Sequence, residues 1–190
     1  MFASISSAVL IGAQGYPVRV EAHVGKGLPG FSIGGLLDES VREARDRTRA
    51  AILSIGLQFP TIKVTLNLAP SDQPKSGSAM DLAIAIGILA ASGAVPPESV
   101  EELSFIGELG LDGSLRPAPG VAPMVGALGD RGVVVPVGSA IEARVAASLL
   151  LITGLALGDV ALALARLERD GWIIENGGWF EVVDEWADLT

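Results

Sequence analysis

One loop in this sequence has the residue types of a nucleophilic catalytic site. Residues 72–81 read Asp-Gln-Pro-Lys-Ser-Gly-Ser-Ala-Met-Asp and lead into an apolar helix predicted over Leu82–Ala91. The first N–H groups of a helix have no intrahelical partner, so nucleophiles and anion sites are often found there. Lys75 with Ser76 or Ser78 could therefore form a Ser–Lys dyad in which the lysine removes the proton of the serine.

The surroundings of the candidate bases argue against catalysis. The lysine of a dyad must be neutral, and the nearby carboxylates of Asp72 and Asp81 would hold the proton on Lys75. A Ser-His-Asp triad would need His23, the single histidine, which alternation places on the polar face of a strand beside Glu21. We interpret His23 as a surface residue and keep the Ser–Lys peptidase as an alternative.

Nucleotide-binding motifs are absent from these 190 residues. A phosphate-binding loop needs Gly-x4-Gly-Lys-Ser/Thr, but Gly25-Lys26 is followed by Gly27, and Val20 stands at the upstream glycine position. We therefore predict that this chain alone binds no ATP or other cofactor and no metal.

A cluster of arginines is the best candidate for a binding surface. Arg42, Arg45 and Arg49 share one face of a predicted helix, and Arg47 lies to the side. We predict that this face, with Lys75 of the loop, docks an acidic protein or contacts DNA. The alternative is a solvated face with internal ion pairs.

Hydrophobic periodicity gives the elements that would position these residues. Strands are expected at Phe2–Ile11, Val18–Val24, Phe31–Ile33, Thr61–Leu68, Phe105–Leu109, Ser114–Arg116, Val133–Val137, Leu149–Thr153, Trp172–Glu175 and Trp179–Val183. Helices are expected at Ser40–Ile55, Leu82–Ala91, Val121–Leu128, Ser139–Ala147 and Asp159–Arg169. This order predicts an α/β sandwich (α+β in its layering), with a mixed twisted sheet covered by helices.

Local signals predict how several elements begin or turn. Ser40 and Glu43 have the spacing of a capping box at the first helix. Asp72 and Asp81 are expected to cap the helix that starts at Met80–Leu82. Asp112-Gly113 predicts a type I′ hairpin turn.

Composition excludes several classes of protein. The absence of cysteine rules out disulfides and thiolate metal sites, and a net charge of −9 makes a poor free-standing nucleic-acid binder. There is no run of 18 apolar residues and no basic start typical of a secretion signal. We therefore expect a cytoplasmic protein that does not associate with membranes.

Several runs of this chain resemble the N-terminal domain of the ComM/YifB family of magnesium-chelatase-like AAA+ ATPases. The matching runs are Val24–Gly30, Glu43–Ile52, Thr65–Asp72, Pro74–Gly77, Asp81–Ala85 and Gly107–Leu109. The resemblance is close up to about residue 137. It implies a Lon-protease-like fold, shared with ribosomal-protein domains.

The resemblance also implies that the protease dyad is lost. The positions of the Lon nucleophile and of its base lysine fall on Ala79 and Ala122, and a methyl group can neither attack a carbonyl nor take a proton. In whole proteins of the family this domain precedes an ATPase module that binds ATP and Mg²⁺ and is expected to form hexamers. The ComM branch is implied to act as a DNA branch-migration helicase during recombination in natural transformation. A magnesium-chelatase motor subunit is a further alternative.

We accordingly predict two parts in the chain. Residues 1–165 would form the Lon-like N-terminal domain, and residues 166–190 an acidic tail leading to an ATPase module that this chain does not contain. The tail carries Trp172, Trp179 and Trp186, which we expect to pack on the domain body, on a following domain or on another subunit. The expected partners are the ATPase module, further copies of the protein and DNA.

Overall fold

A computed structural model describes residues 1–129, 131–143, 150–153, 173–175 and 179–182. The strands are β1 (Phe2–Ile11), β2 (Gln14–Gly25), β3 (Gly30–Gly34), β4 (Leu36–Leu37), β5 (Lys63–Ala69), β6 (Pro74–Lys75), β7 (Leu103–Phe105), β8 (Glu108–Leu109), β9 (Leu115–Arg116), β10 (Gly132–Pro136), β11 (Leu150–Thr153), β12 (Ile173–Glu175) and β13 (Trp179–Val182). The helices are α1 (Glu39–Ser54), α2 (Asp81–Ser92), α3 (Val121–Gly126) and α4 (Ala140–Ala143). Short 3₁₀ turns cover Pro97–Val100 and Val137–Ser139.

Nine of these strands form one mixed sheet in the order β12-β13-β11-β10-β7-β1-β2-β5-β3. The pairs β1–β2, β2–β5 and β12–β13 are antiparallel, whereas β1–β7, β7–β10, β10–β11, β11–β13 and β3–β5 are parallel. The predicted α/β fold with a mixed sheet and flanking helices is therefore confirmed.

Helices cover both faces of this sheet. Ile5 and Val9 of β1 belong to the main apolar cluster, which contains most of α2. Ala8 belongs to a second cluster with Val121 and Met124 of α3. Since neighbouring side chains of a strand point to opposite faces, α2 and α3 lie on opposite sides of β1. α2 is the central helix of the core, because all its residues from Asp81 to Ala91 are buried.

Several element boundaries differ from the sequence prediction. β2 begins at Gln14 rather than Val18, because its pairing with β1 continues to Ile11↔Gln14. α3 ends at Gly126 rather than Leu128. Ile62, expected on the buried face of β5, precedes that strand and is exposed.

The predicted capping side chains of both helices were wrong, although α2 begins where it was expected. The N-cap of α1 is Asp38, whose carboxylate accepts from the N–H of Val41 at 3.0 Å. The Ser40 hydroxyl instead donates to Asp38 and accepts from the N–H of Gly77 at 2.9 Å. α2 starts at its N-cap Met80 without a side-chain cap, so Asp81 does not serve as one.

The hairpin between β8 and β9 exists, but its turn is not type I′. A type I′ turn needs positive φ at both central residues, and among the described residues only glycines have positive φ, so Asp112 does not. The loop is closed by the N–H of Gly110, which donates to the carbonyl of Ser114 at 2.8 Å.

The structure describes only some of the residues after Ala143, so it tests only some of the predictions made for that part of the chain. The predicted helix Asp159–Arg169 and the side chains of Trp172, Trp179 and Trp186 lie outside the described residues. β12 and β13 form the expected antiparallel pair, and β13 pairs with β11 in the main sheet. The division at residue 165 stays a prediction.

Candidate functional site

Lys75, the candidate base of the Ser–Lys dyad, has a structural role in the loop between β5 and α2. Lys75 is 1% exposed, and its ammonium donates to the carbonyls of Pro70 and, at 2.8 Å, Gln73. Burial lowers the pKa of Lys75, and the negative charge of Asp72 partly offsets this. The placement of Lys75 on the exposed docking surface was therefore wrong: its charge satisfies backbone carbonyls inside the protein.

Ser78 does not form a dyad with Lys75 in this structure. Its hydroxyl donates to the carboxylate of Glu108 in β8, while Lys75 is bonded to carbonyls. The positions implied by the Lon resemblance contain no reactive group either. Ala79 lies in the apolar cluster of α3, and the backbone N–H of Ala122 donates to Glu142 at 3.3 Å.

A buried ion pair connects α1 to the start of α2. The Nε of Arg47 donates to Oδ2 of Asp81 at 2.8 Å, and a second guanidinium nitrogen donates to Oδ1 at 3.1 Å. The Asp81 side chain is 1% exposed and that of Arg47 19%. The same guanidinium donates to the carbonyl of Ser40 at 2.9 Å, and the N–H of Leu109 donates to Asp81 at 3.3 Å.

The environment of Asp81 has opposing effects on its ionisation. Burial raises the pKa of Asp81, and the neighbouring Arg47 and the N–H of Leu109 lower it, with a net rise. Arg47 has its own pKa raised by its hydrogen bond to Asp81. The pair therefore has a structural role, joining α1, α2 and β8.

Sequence reasoning missed this ion pair although two signals pointed to it. Arg47 is the one arginine of α1 that falls off the shared face. Asp81 is the only charged residue of a helix that is otherwise apolar all round. A charge in such a helix is buried and requires a partner.

The three remaining arginines of α1 are exposed, and two of them line a cleft that also contains apolar side chains of β3. The guanidinium of Arg49 lies 5.7 Å from the ring centre of Phe59, which stacks on Phe31 at 5.8 Å. Arg42 and Arg45 line a cleft of about 350 Å³. The other residues of this cleft, which we call the β3–α1 cleft, are Phe31, Ile33 and Gly35.

The net charge of α1 and its N-cap is close to zero. Asp38, Glu39, Glu43 and Asp46 balance the four arginines of the helix. Arg45 is paired with Asp46 at 2.9 Å on the surface, and this hydrogen bond lowers the pKa of Asp46. A balanced surface lacks the excess of positive charge that drives phosphate binding.

Other kinds of site receive no support from the geometry. Within the part of the chain that the structure describes, no three acidic, histidine or cysteine side chains come together in a way that could hold a metal ion. None of the helices described there combines the length and the apolar character needed to cross a membrane. His23 is exposed on β2, in agreement with the surface interpretation.

Comparison with known proteins identifies related sequences for the first two thirds of the chain. The family described as subunit ChlI of Mg-chelatase matches residues 20–139. The uncharacterized protein YifB of Escherichia coli is 45% identical over 116 residues, which cover 61% of this chain and 23% of YifB. The competence protein ComM of Haemophilus influenzae is 42% identical over 123 residues, or 65% of this chain and 24% of ComM.

An uncharacterized protein of Mycobacterium tuberculosis is 42% identical over 119 residues, again covering 24% of the relative. The chain thus spans about a quarter of the length of the curated relatives that it matches. The resemblance to the ComM/YifB family is confirmed by these matches.

Proposed function

Because the chain belongs to the family of the ChlI subunit of Mg-chelatase, with ComM and YifB among its relatives, we propose that it is a non-catalytic N-terminal domain of a ComM-type AAA+ ATPase. The domain would adopt a Lon-protease-like fold without the protease chemistry. It would precede an ATPase module that binds ATP and Mg²⁺ and assembles as a hexamer in the cytoplasm.

The non-catalytic role is supported by two observations: the dyad positions lack reactive groups, and the nearby lysine and serine are hydrogen-bonded to other partners. Ala79 and Ala122 occupy the two dyad positions implied by the resemblance. Lys75 is engaged with two backbone carbonyls and Ser78 with Glu108, so neither is available to activate the other. A Ser–Lys mechanism requires the lysine nitrogen to accept the serine proton, which this arrangement does not provide.

The peptidase alternative is tested by incubating the chain with a fluorogenic peptide library and with Ser78→Ala as the matched variant. We expect no cleavage by the wild-type chain. Cleavage by the wild type that is abolished in Ser78→Ala would overturn the proposal, whereas cleavage present equally in both would indicate a contaminating protease.

We propose that the domain assists a DNA branch-migration helicase in recombination, the role that the resemblance to the ComM branch implies; the relative from Haemophilus influenzae is named a competence protein. It would act as a docking module through the β3–α1 cleft, near which Arg42, Arg45 and Arg49 are exposed. The charge balance of α1 favours a protein partner over direct contact with duplex DNA.

A magnesium-chelatase motor subunit is a second candidate, favoured by the description of the family. The two candidates differ in the substrate of the complete protein. ATP-dependent insertion of Mg²⁺ into a porphyrin would support the chelatase, and ATP-dependent movement of a DNA branch point would support the helicase.

A further inference from the structure

We propose that the β3–α1 cleft binds an extended acidic peptide, which adds to the sheet as a strand beside β3. This inference rests on the proposed docking role and names the chemistry of the partner. It follows from three features of the cleft: an open sheet edge, an apolar floor and two arginines above it.

The open edge is that of β3. Among the strands that the structure describes, β3 ends the nine-stranded sheet and pairs only with β5. Gly30, Ser32 and Gly34 are exposed. Natural edge strands are usually protected by lysine, proline, a bulge or a covering element, and Gly-Phe-Ser-Ile-Gly contains neither lysine nor proline. Its unpaired backbone groups can therefore pair with another extended chain.

The apolar floor is formed by side chains of the same strand. Phe31 and Ile33 lie opposite Val64 and Leu66 of β5, which are buried, so these two side chains point to the helix side of the sheet. Both are only partly buried. A strand added beside β3 would place every second side chain on this face, over the cleft.

The arginines determine which side chains fit there. Arg42 makes no hydrogen bond or ion pair with any described residue, and the Arg45–Asp46 pair is a surface pair with both side chains more than half exposed. A surface pair of this kind contributes little to stability and is readily exchanged. The guanidinium groups of Arg42 and Arg45 can therefore donate charge-assisted hydrogen bonds to carboxylates of an incoming strand.

A peptide fits this site better than DNA does. A strand edge offers alternating N–H and C=O groups, which a peptide backbone complements and a phosphate backbone does not. The chemistry therefore favours a segment in which acidic residues alternate with other residues.

The test is fluorescence anisotropy with a labelled ten-residue peptide of alternating Glu and Val, added to the 190-residue chain. The first control peptide carries Gln in place of Glu. The second has proline at two adjacent central positions, so that one proline lies on the side of β3 in either register, and an extra terminal Glu keeps the acidic charge unchanged. The variant is R42E/R45E, and the matched control is R19E/R116E, which reverses two exposed arginines outside the cleft.

We expect the wild type and R19E/R116E to bind the Glu-Val peptide equally. R42E/R45E, the Gln peptide and the proline peptide should each weaken binding by about tenfold or more, since a charge-assisted or backbone hydrogen bond is lost. Equal binding by R42E/R45E, or equal binding of the proline peptide, would overturn the proposal. So would tighter binding of a labelled DNA duplex that R42E/R45E abolishes.

The same samples separate this inference from the proposed non-catalytic role. Mass spectrometry of the peptide after binding reveals any cleavage. A peptide that is bound and then cut would contradict the non-catalytic role and support the peptide site. A peptide that is neither bound nor cut would contradict the peptide site alone.

Discussion

At the scale of single residues, the structure separates charges that stabilise the fold from charges that face solvent. Arg47 and Asp81 are largely removed from water and bonded at two points, whereas Arg45 and Asp46 are exposed. Buried pairs are costly to break, because the remaining partner keeps its charge without compensation.

We predict that Arg47→Ala lowers the free energy of unfolding by about 3 kcal/mol, because it leaves the carboxylate of Asp81 buried and unpaired. Urea unfolding monitored by circular dichroism measures this loss. The matched control, Arg45→Ala, removes an exposed guanidinium and should leave the unfolding midpoint unchanged. Equal midpoints for Arg47→Ala and Arg45→Ala would contradict the structural role of the ion pair.

The loss caused by Arg47→Ala should also depend on pH. Without Arg47 the pKa of Asp81 rises further, because burial remains and the neighbouring positive charge is gone. A raised pKa means that the folded state binds the proton more tightly, so stability falls as pH rises through the folded pKa. The deficit of Arg47→Ala should therefore be smaller at about pH 5 than at about pH 8.

The double variant R47A/D81N tests whether Asp81 is the group that titrates. It carries a neutral amide at position 81, so its own free energy of unfolding should lack the fall with rising pH that the Asp81 carboxyl gives to Arg47→Ala. If the double variant kept the pH dependence of Arg47→Ala, a different group would be responsible.

Sequence reasoning reached some of these residues and missed others for physical reasons. Helical spacing put Arg42, Arg45 and Arg49 together, and the structure leaves all three exposed. The same reasoning treated Lys75 as a surface residue because its neighbours in sequence are polar. The carbonyls of Pro70 and Gln73 that bind it become available only when the loop folds back.

At the scale of elements, two glycines mark where helices approach the sheet closely. Gly87 lies in the middle of α2, and a Cβ built there would lie 3.4 Å from side-chain atoms of Ala22 and Ile5. Gly15 lies in β2, where a Cβ would overlap the carbonyl of Pro123 in α3 and lie 2.7 Å from the Cα of Met124. The first position has room for a methyl group and the second has none.

We therefore predict opposite outcomes for two chemically identical substitutions. Gly87→Ala should leave stability unchanged or raise it by up to about 1 kcal/mol, because alanine is the better helix former. Gly15→Ala should lower it by about 3 kcal/mol, because the backbone of α3 must move away from β2. Thermal unfolding of both variants checks this, and a Gly15→Ala protein as stable as the wild type would contradict the packing of α3 on β2.

The sequence predicted which segments form helices and strands more reliably than it predicted the contacts between distant segments. Alternation identified β2 and β5, the apolar run identified α2, and β1 was predicted over the residues that it occupies. The start of α1 was placed at Ser40 because the capping-box spacing is a local signal. In the folded chain Gly77 of the distant loop approaches the Ser40 hydroxyl, and Asp38 takes the capping role. Long-range contacts of this kind leave no periodic trace in the sequence.

At the scale of the whole molecule, the sheet combines a well-packed centre with an open edge. The strands β1, β2 and β5 pack against α2, whereas β3 continues the sheet beyond them with an exposed edge. In such an arrangement a further strand can pair with the edge of β3 while the packed strands keep their contacts with α2. It suits a domain that holds a partner in place while another module performs the chemistry.

We predict that the complete gene encodes an ATPase module after this domain. The DNA following the codon for Thr190 should contain Gly-x4-Gly-Lys-Ser/Thr, the loop that binds nucleotide phosphates. Sequencing this region checks the prediction, and a stop codon directly after Thr190 would contradict the assignment to an ATP-driven motor.

The most direct test of the account is ATP-dependent branch migration of a four-way DNA junction by the complete protein. Wild type, S78A and R42E/R45E are compared after thermal unfolding has shown that all three are folded. The account predicts that S78A migrates the junction as fast as the wild type and that R42E/R45E is slower. An inactive S78A together with a fully active R42E/R45E would contradict it, because the activity would then depend on the serine and not on the docking cleft.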